Sequence, residues 1–188
     1  TPRELGQQRI TELQQTLLKD DCFIPGFRNI DEKDMARQAK VSATSSTEGC
    51  GPENVINGIS RTTESGSNVW ESKPLGEKGE SITLSLDKKS DVREIRIYFD
   101  PNFTKEIMPS ITKTVLDRQV EGMPAELVRD YKVECINQET VVYTWEVKDN
   151  TQRLNILDIP NVVCDSVRIT VYRTHGYPSA RIFEVRIY

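Results

Sequence analysis

The chain has 188 residues, which is enough for one sizeable hydrophobic core. Hydrophobic residues make up 36% and charged residues 29% of the sequence, and this balance excludes a disordered or membrane-embedded protein. The net charge of −4, with basic residues scattered along the chain, argues against nucleic-acid binding, because neutralising phosphates requires a basic face. The chain begins with TPRELG rather than with Met, which predicts a processed fragment of a larger protein.

A helical linker is predicted for residues 1–37. Thr1 can cap the helix, and Ile10, Leu13 and Leu17 then fall on one face at spacings of three and four. The charged residues that follow predict a linker with at most one helical turn. A single amphipathic helix needs a partner surface, which is either the following domain or a preceding domain of the larger protein.

From residue 38 onward the hydrophobic pattern changes to a period of two. Short alternating stretches are separated by turn residues, with no helical period between them. Residues 38–188 are therefore predicted to form one all-β domain, an antiparallel β-sandwich in which each strand buries one face. Trp70 and Trp145 are interpreted as core residues. The alternating residues are Val41 and Ala43; Ile82, Leu84 and Leu86; Ile95, Ile97 and Phe99; Val133 and Cys135; Val141, Tyr143, Trp145 and Val147; Leu154 and Ile156; Val167, Ile169 and Val171; and Phe183, Val185 and Ile187.

The connection over residues 100–130 has no clean periodicity and contains three prolines. A connection of this length is either a functional loop or a decoration that covers a sheet edge, and both readings stay open. The four cysteines form no CxxC pair, which argues against a zinc ribbon or a redox motif. Cys135 and Cys164 are predicted to be buried thiols, whereas a disulfide between Cys22 and Cys50 is left open.

Five segments, in this order, resemble the F5/8 type C, or discoidin, family, which includes the family 32 carbohydrate-binding modules. The resemblance covers nearly all of the chain from residue 39 and implies a galactose-binding-domain-like jelly roll. The segments are AKVSATSS at 39–46, ENVINGISR at 53–61, NVWES at 68–72, ITLSLDKKSDVREIRIYFD at 82–100 and VRITVYRTHGYPSARIFEVRIY at 167–188.

The resemblance also implies a structural Ca²⁺ held between the loop at 55–61 and the last strand, and no catalytic cofactor. Ca²⁺ takes six to eight oxygen ligands. Asn57 and Glu184 offer side-chain oxygens. Val55, Ser60 and Arg61 offer carbonyls, or Ser60 offers its hydroxyl. The family more often has Asp where this chain has Asn57. The alternative is that Asn57 serves a turn and that Glu184 pairs with an arginine.

A sugar site is implied in loops at one end of the sandwich. Sugars need a flat aromatic face and fixed polar groups. Tyr177 or Phe103 can supply the face, while His175, Asn102 and Arg61 can supply hydrogen bonds. The alternative is that RTHGYPSA is a solvated hairpin turn. The loops are residues 62–68, 100–103 and 175–177.

Catalysis has little support, because His175 is the only histidine and no nucleophile, metal-protease or phosphate-binding motif is present. The sequence therefore predicts a non-catalytic, carbohydrate-binding module at the C-terminus of a larger exported bacterial protein, periplasmic or at the cell surface. The lead segment also resembles the region that joins FAD-dependent oxidoreductase-like proteins of gut Bacteroidetes, such as Bacteroides, to such a domain. Two alternatives are a docking domain of a parent oxidoreductase or polysaccharide-active enzyme, and a phospholipid- or protein-binding discoidin-type module; a membrane partner is not expected.

Overall fold

The computed structural model describes residues 31–62, 68–102 and 122–188, and these form an antiparallel, all-β fold. The predicted helix at 1–19 lies outside the described residues. Within them, no helix has the length and apolar character that crossing a membrane requires. The elements are the 3-10 helices η1 (Met35–Gln38) and η2 (Pro52–Ile56) and the strands β1 (Lys40–Ala43), β2 (Trp70–Pro74), β3 (Glu80–Phe99), β4 (Val128–Asn137), β5 (Thr140–Val147), β6 (Leu154–Thr174) and β7 (Ser179–Ile187).

Strands β3 and β6 are long and run antiparallel to each other through both layers of the sandwich. The first half of β3 pairs with β1 and with the second half of β6. The second half of β3 pairs with β7 and with the first half of β6. One layer therefore has the order β5-β4-β6-β3-β1, and the other has the order β6-β3-β7-β2.

The sequence predicts two separate strands where the structure has the single strand β3, and likewise for β6. The polar run between Leu86 and Val92 interrupts the alternation of hydrophobic residues, which reads as a turn. The structure instead carries the strand through this run, with shifts of register between Ser85 and Ser90 and between Val92 and Glu94. Such irregularities let a paired ribbon bend from one layer into the other.

The core lies between the two layers and consists of the inward-facing residues of both. Trp70 is fully buried, and its indole Nε1 donates a hydrogen bond to the Ser45 carbonyl at 3.0 Å. Trp145, in the edge strand β5, is partly buried and packs against the core. Phe99 and Tyr131 meet edge to face with ring centroids 5.0 Å apart, and they join the second half of β3 to β4 in the other layer. Burial of this apolar surface is the main stabilising contribution.

The two cysteines predicted to be buried are both in the core. Cys135 and Cys164 are fully buried, and their thiols are in hydrogen-bond contact. They come from β4 and β6, which are paired strands of the same layer. Cys22 lies outside the described residues, so the disulfide left open for Cys22 and Cys50 remains untested.

The residues just before β1 pack on the last strand. Asp34 is buried, and its Oδ1 accepts hydrogen bonds from Ala36 N at 3.0 Å and from Ile187 N at 2.9 Å. Ala36, in η1, is fully buried. The division of the chain at residue 38 remains a prediction, but the packed unit already includes Asp34.

We expect Asp34→Ala to lower the free energy of unfolding by about 1–3 kcal/mol, because it leaves two buried backbone N–H groups without their acceptor. Asp34→Asn keeps an acceptor oxygen in the same place and should cost clearly less. Urea denaturation of the two variants and the parent measures this. Equal losses in Asp34→Ala and Asp34→Asn would contradict the role assigned to the acceptor.

The pH dependence of stability should report two buried acids near η1. Burial raises the pKa of Asp34, against the hydrogen bonds of Ile187 and Ala36, and burial also raises the pKa of Glu184, against the neighbouring charge of Arg186. The folded protein therefore holds these protons more tightly than the unfolded chain does. Their contribution to stability is full below the ordinary pKa values of 3.8 and 4.5 and is lost as the pH rises through the raised values.

As the pH rises from below 3.8 through the raised pKa values of Asp34 and Glu184, the free energy of unfolding of Asp34→Asn should fall less than that of the unsubstituted protein. The reason is that one of the two titrating acids is gone. Urea denaturation at a series of pH values provides the comparison. Parallel curves for the parent and the variant would show that Asp34 does not titrate in this way.

Candidate functional site

The hairpin between β6 and β7 is held against the segment that leads into β4. His175 N donates to the Leu127 carbonyl at 3.0 Å, and Tyr177 N donates to the Ala125 carbonyl at 2.9 Å. Within the hairpin, the Thr174 hydroxyl donates a hydrogen bond to the Tyr177 carbonyl. The hairpin is therefore fixed by two backbone hydrogen bonds to this segment and by one side-chain hydrogen bond of its own.

The turn that follows β3 reaches the same segment. Asn102 has a φ of 56°, in the left-handed region that asparagine tolerates better than most residues. Its backbone N donates to Asp100 Oδ1 at 2.6 Å, which closes the turn, and its side-chain Nδ2 donates to Glu126 Oε1 at 2.7 Å. The turn after β3 and the hairpin thus both bond to residues 125–127.

Arg181 joins these loops to β2. Its Nε and Nη2 both lie 2.7 Å from Asp100 Oδ2, and its Nη1 contacts a carboxylate oxygen of Glu71. The Tyr177 hydroxyl donates to the other Glu71 oxygen, Oε1, at 2.9 Å. The guanidinium carbon of Arg181 is 5.8 Å from the centroid of the Tyr177 ring. The Tyr177 ring is therefore held in place by a charged network.

The electrostatics of this network keep its groups in one protonation state. Burial disfavours the charged form of Arg181, but Asp100 and Glu71 outweigh it and raise the pKa of the guanidinium. The hydrogen bond to Glu71 raises the pKa of Tyr177, and burial adds to it. Tyr177 stays a neutral donor, and Arg181 stays a cation, across the physiological pH range.

His175 makes a local contact with the backbone. Its Nε2 lies 2.7 Å from the Asn150 carbonyl, which can only accept, so Nε2 carries the proton. Asn150 is buried, and its side-chain Nδ2 donates to the Val128 carbonyl at 2.7 Å. This arrangement positions His175 through the backbone next to β4 and makes Nε2 of the imidazole a donor.

The structure brings together three of the five predicted ligand-binding residues: Asn102, His175 and Tyr177. Phe103 lies outside the described residues. Arg61 lies in the exposed part of a different loop, directly after Ser60.

Sequence reasoning missed Glu71, Glu126 and Arg181. The signal for the first and last was weak, because Glu71 and Arg181 become cross-strand partners only through the pairing of β2 with β7. Glu126 lies in the connection that has no periodicity, where the sequence offers no frame for its position.

Oxygens of three of the five residues predicted to bind calcium have other partners in the structure. Asn57 Oδ1 accepts a hydrogen bond from Ile59 N at 2.8 Å, which forms a local turn. Both carboxylate oxygens of Glu184 accept from Arg186, at 3.0 and 3.1 Å. The Ser60 carbonyl accepts from Nη2 of Arg153. Guanidinium groups thus face two of the proposed ligands.

This arrangement does not fit a calcium site, because Ca²⁺ needs six to eight oxygens that are directed at one point and is repelled by nearby cations. No group of three or more His, Cys, Asp and Glu residues that could hold a metal occurs in the described ranges. Calcium binding therefore remains a prediction of the sequence alone.

No protein-family model matches the chain, and no curated protein matches its sequence. Solved structures match its fold. The lectin domain of lectinolysin, in complex with Lewis B antigen, is 12% identical with a TM-score of 0.61, over 85% of this chain and 98% of that domain. A Streptococcus pneumoniae fucose-binding module is 12% identical with a TM-score of 0.62, over 85% of this chain and 97% of the module. The family 32 module of C. perfringens NanJ, in complex with galactose, is 18% identical with a TM-score of 0.56, over 81% of this chain and 95% of the module.

At these identities the likeness shows a shared fold. The chain has the β-sandwich fold of carbohydrate-binding modules, which confirms the predicted fold class for the described residues. The likeness does not identify a ligand, so the site has to be argued from the residues of this chain.

We expect Arg181→Ala to lower the free energy of unfolding by about 3–5 kcal/mol, because it leaves the buried carboxylate of Asp100 and the partly buried one of Glu71 without their cation. Arg93→Ala is the matched control. Its ion pair with Asp91 is exposed, with 69% and 42% of the two side chains accessible, so its loss should cost only about 0–1 kcal/mol. Chemical denaturation measures both, and a similar small cost for the two variants would contradict the network.

Proposed function

We propose that this chain is a non-catalytic carbohydrate-binding module whose site is formed by the hairpin and the turn after β3. The observation that carries the proposal is the Tyr177 ring, which the Glu71–Arg181–Asp100 network holds in place and whose hairpin bonds to the same segment, residues 125–127, as the Asn102 side chain. A fixed aromatic face with polar groups around it is what a sugar ring requires, since its C–H face stacks and its hydroxyls hydrogen-bond.

The charges around the site favour a neutral sugar over an acidic one. Three acids lie around it, the buried Asp100 and Glu126 and the partly buried Glu71, and Arg181 is already shared between Asp100 and Glu71. A uronic or sialic acid would bring a further negative charge to this cluster. A neutral sugar can use the carboxylates as hydrogen-bond acceptors without that cost.

Affinity for a single sugar should be low. One ring offers little apolar area, and its hydroxyls are already solvated, so we expect binding in the millimolar to high micromolar range, or about 4–6 kcal/mol. Firm attachment would then depend on several modules or on a long polymer.

The fold supports this function over the other candidates. Structures of the same fold include a lectin domain solved with Lewis B antigen, a fucose-binding module and a module solved with galactose. The proposal includes an exported bacterial protein, periplasmic or at the cell surface, of which this chain is the C-terminal module. That part of the proposal is supported by the sequence resemblance.

A second candidate function is docking on a parent protein without sugar binding. It is favoured by the side chains of Leu154 and Ile156, which are exposed by 37% and 51% on the edge of the layer that contains β7. Exposed neighbouring aliphatic residues are typical of a surface that another protein covers. The preceding domain of a parent oxidoreductase or polysaccharide-active enzyme would be the partner.

Binding to a glycan panel, measured for the unsubstituted chain and for two Tyr177 variants, tests the proposal. Tyr177→Ala removes the aromatic face and should weaken binding at least about tenfold. Tyr177→Phe keeps the ring and removes only the hydroxyl that donates to Glu71, so it should retain most of the binding. If no glycan binds the unsubstituted chain, or if Tyr177→Ala binds glycans as well as the unsubstituted chain does, the sugar site is wrong. Docking on another domain of a larger protein then becomes the leading function.

A further inference from the structure

The loop of residues 52–62, which includes η2, is tied to the sandwich by an arginine. Arg153, directly before β6, donates from Nη2 to the carbonyl of Ser60 in that loop. The two residues are 93 positions apart in the sequence. The backbone of Arg153 is itself fixed, because its carbonyl accepts from Phe99 N at 2.9 Å. Arg153 therefore links the loop to the paired ends of β3 and β6.

A second arginine holds the acid that was expected to complete a calcium site. Arg186 donates from Nε and Nη2 to the two oxygens of Glu184, at 3.0 and 3.1 Å, and Glu184 is 1% exposed. Tyr98 lies between the two arginines. Its ring centroid is 5.6 Å from the guanidinium carbon of Arg153 and 4.8 Å from that of Arg186.

The guanidinium groups of Arg153 and Arg186 both stay positively charged. Burial lowers the pKa of Arg153, but the nearby Tyr98, Asp100 and Glu184 oppose this effect and favour the charged form. An arginine has a very high ordinary pKa, so it remains a cation even when partly buried. Positive charge is thus already present at both ends of the expected metal site.

We propose that the guanidinium groups of Arg153 and Arg186 take the place of a metal ion here: Arg153 holds the loop of residues 52–62 on the sandwich through the Ser60 carbonyl, and Arg186 neutralises Glu184. The Ser60 carbonyl and the Glu184 carboxylate are bound by fixed N–H donors of the protein. A divalent cation at the same position would face two like charges. The link is therefore independent of calcium.

This link also reaches the candidate sugar site. Asp100, whose charge favours the charged form of Arg153, also binds Arg181: its Oδ2 accepts a hydrogen bond from Nε at 2.7 Å and lies 2.7 Å from Nη2 in an ion pair. The charge of Asp100 therefore acts on both arginines. The proposal does not depend on sugar binding, and it stands or falls on the loop itself.

Thermal melting of the parent protein in calcium chloride and in the chelator EGTA is the first test. We expect the same melting temperature in both, because a ligand raises the melting temperature only if it binds the folded state. A clear rise with calcium chloride would overturn the proposal.

Amide hydrogen exchange of arginine variants is the second test. Arg153→Met keeps the aliphatic stem but removes the donor and the charge, and it should speed exchange at Asn57 and Ile59 by about tenfold or more. Arg93→Met is the matched control, since it removes an exposed arginine from the neighbouring strand β3, and it should leave the loop unchanged. Unchanged exchange in the loop of Arg153→Met would overturn the proposal.

Arg153→Lys separates the cationic tie from simple packing. Lysine restores a charged donor but not the planar fork, so exchange in the loop should lie between that of the parent and that of Arg153→Met. A role in packing alone would make the Lys and Met variants alike. If they exchange alike, the guanidinium tie is rejected even though the loop is destabilised.

Discussion

The antiparallel pairing of β3 with β6 is the constraint on which the rest of the structure depends. It runs from the pair Glu80 and Val171 to the pair Tyr98 and Leu154, and it passes through both layers. Because the ribbon folds over, both ends of β3 come close to the hairpin between β6 and β7. Every loop of the candidate site is therefore positioned by this one pairing, and a shift of register would move all of them together.

The layer that contains β7 and β2 carries charged side chains on the face turned away from the core. These side chains are paired with one another and largely shielded from water. Arg181 lies between Glu71 and Asp100, and Arg186 is bound to Glu184. Removing such groups from water is costly, so these pairs add less to stability than their short distances suggest. Their effect is to specify geometry, since a buried charge tolerates only the position in which its partner meets it. This accounts for a rigid site on loops that would otherwise have many conformations.

The candidate site and the loop of residues 52–62 illustrate two solutions to one problem. The part of a loop that lies outside the core has no apolar contacts to fix it, so polar groups take that role. The hairpin uses backbone hydrogen bonds to Leu127 and Ala125. The other loop uses the guanidinium of Arg153 on a backbone carbonyl. Both solutions rely on groups of the protein, and this agrees with the oxygens of the expected metal site being already engaged.

The extended segments, their buried faces and the last hairpin can be read from the sequence, because alternation such as Ile95, Ile97 and Phe99 and turns such as Gly176 are local properties of the chain. The ion pair between Glu184 and Arg186 is also local, since residues two apart share one face of a strand. The meeting of distant groups depends on the tertiary structure. Glu71 and Arg181 are 110 residues apart, and Ser60 and Arg153 are 93 apart, and their contacts depend on strand register and layer packing, which no local pattern encodes.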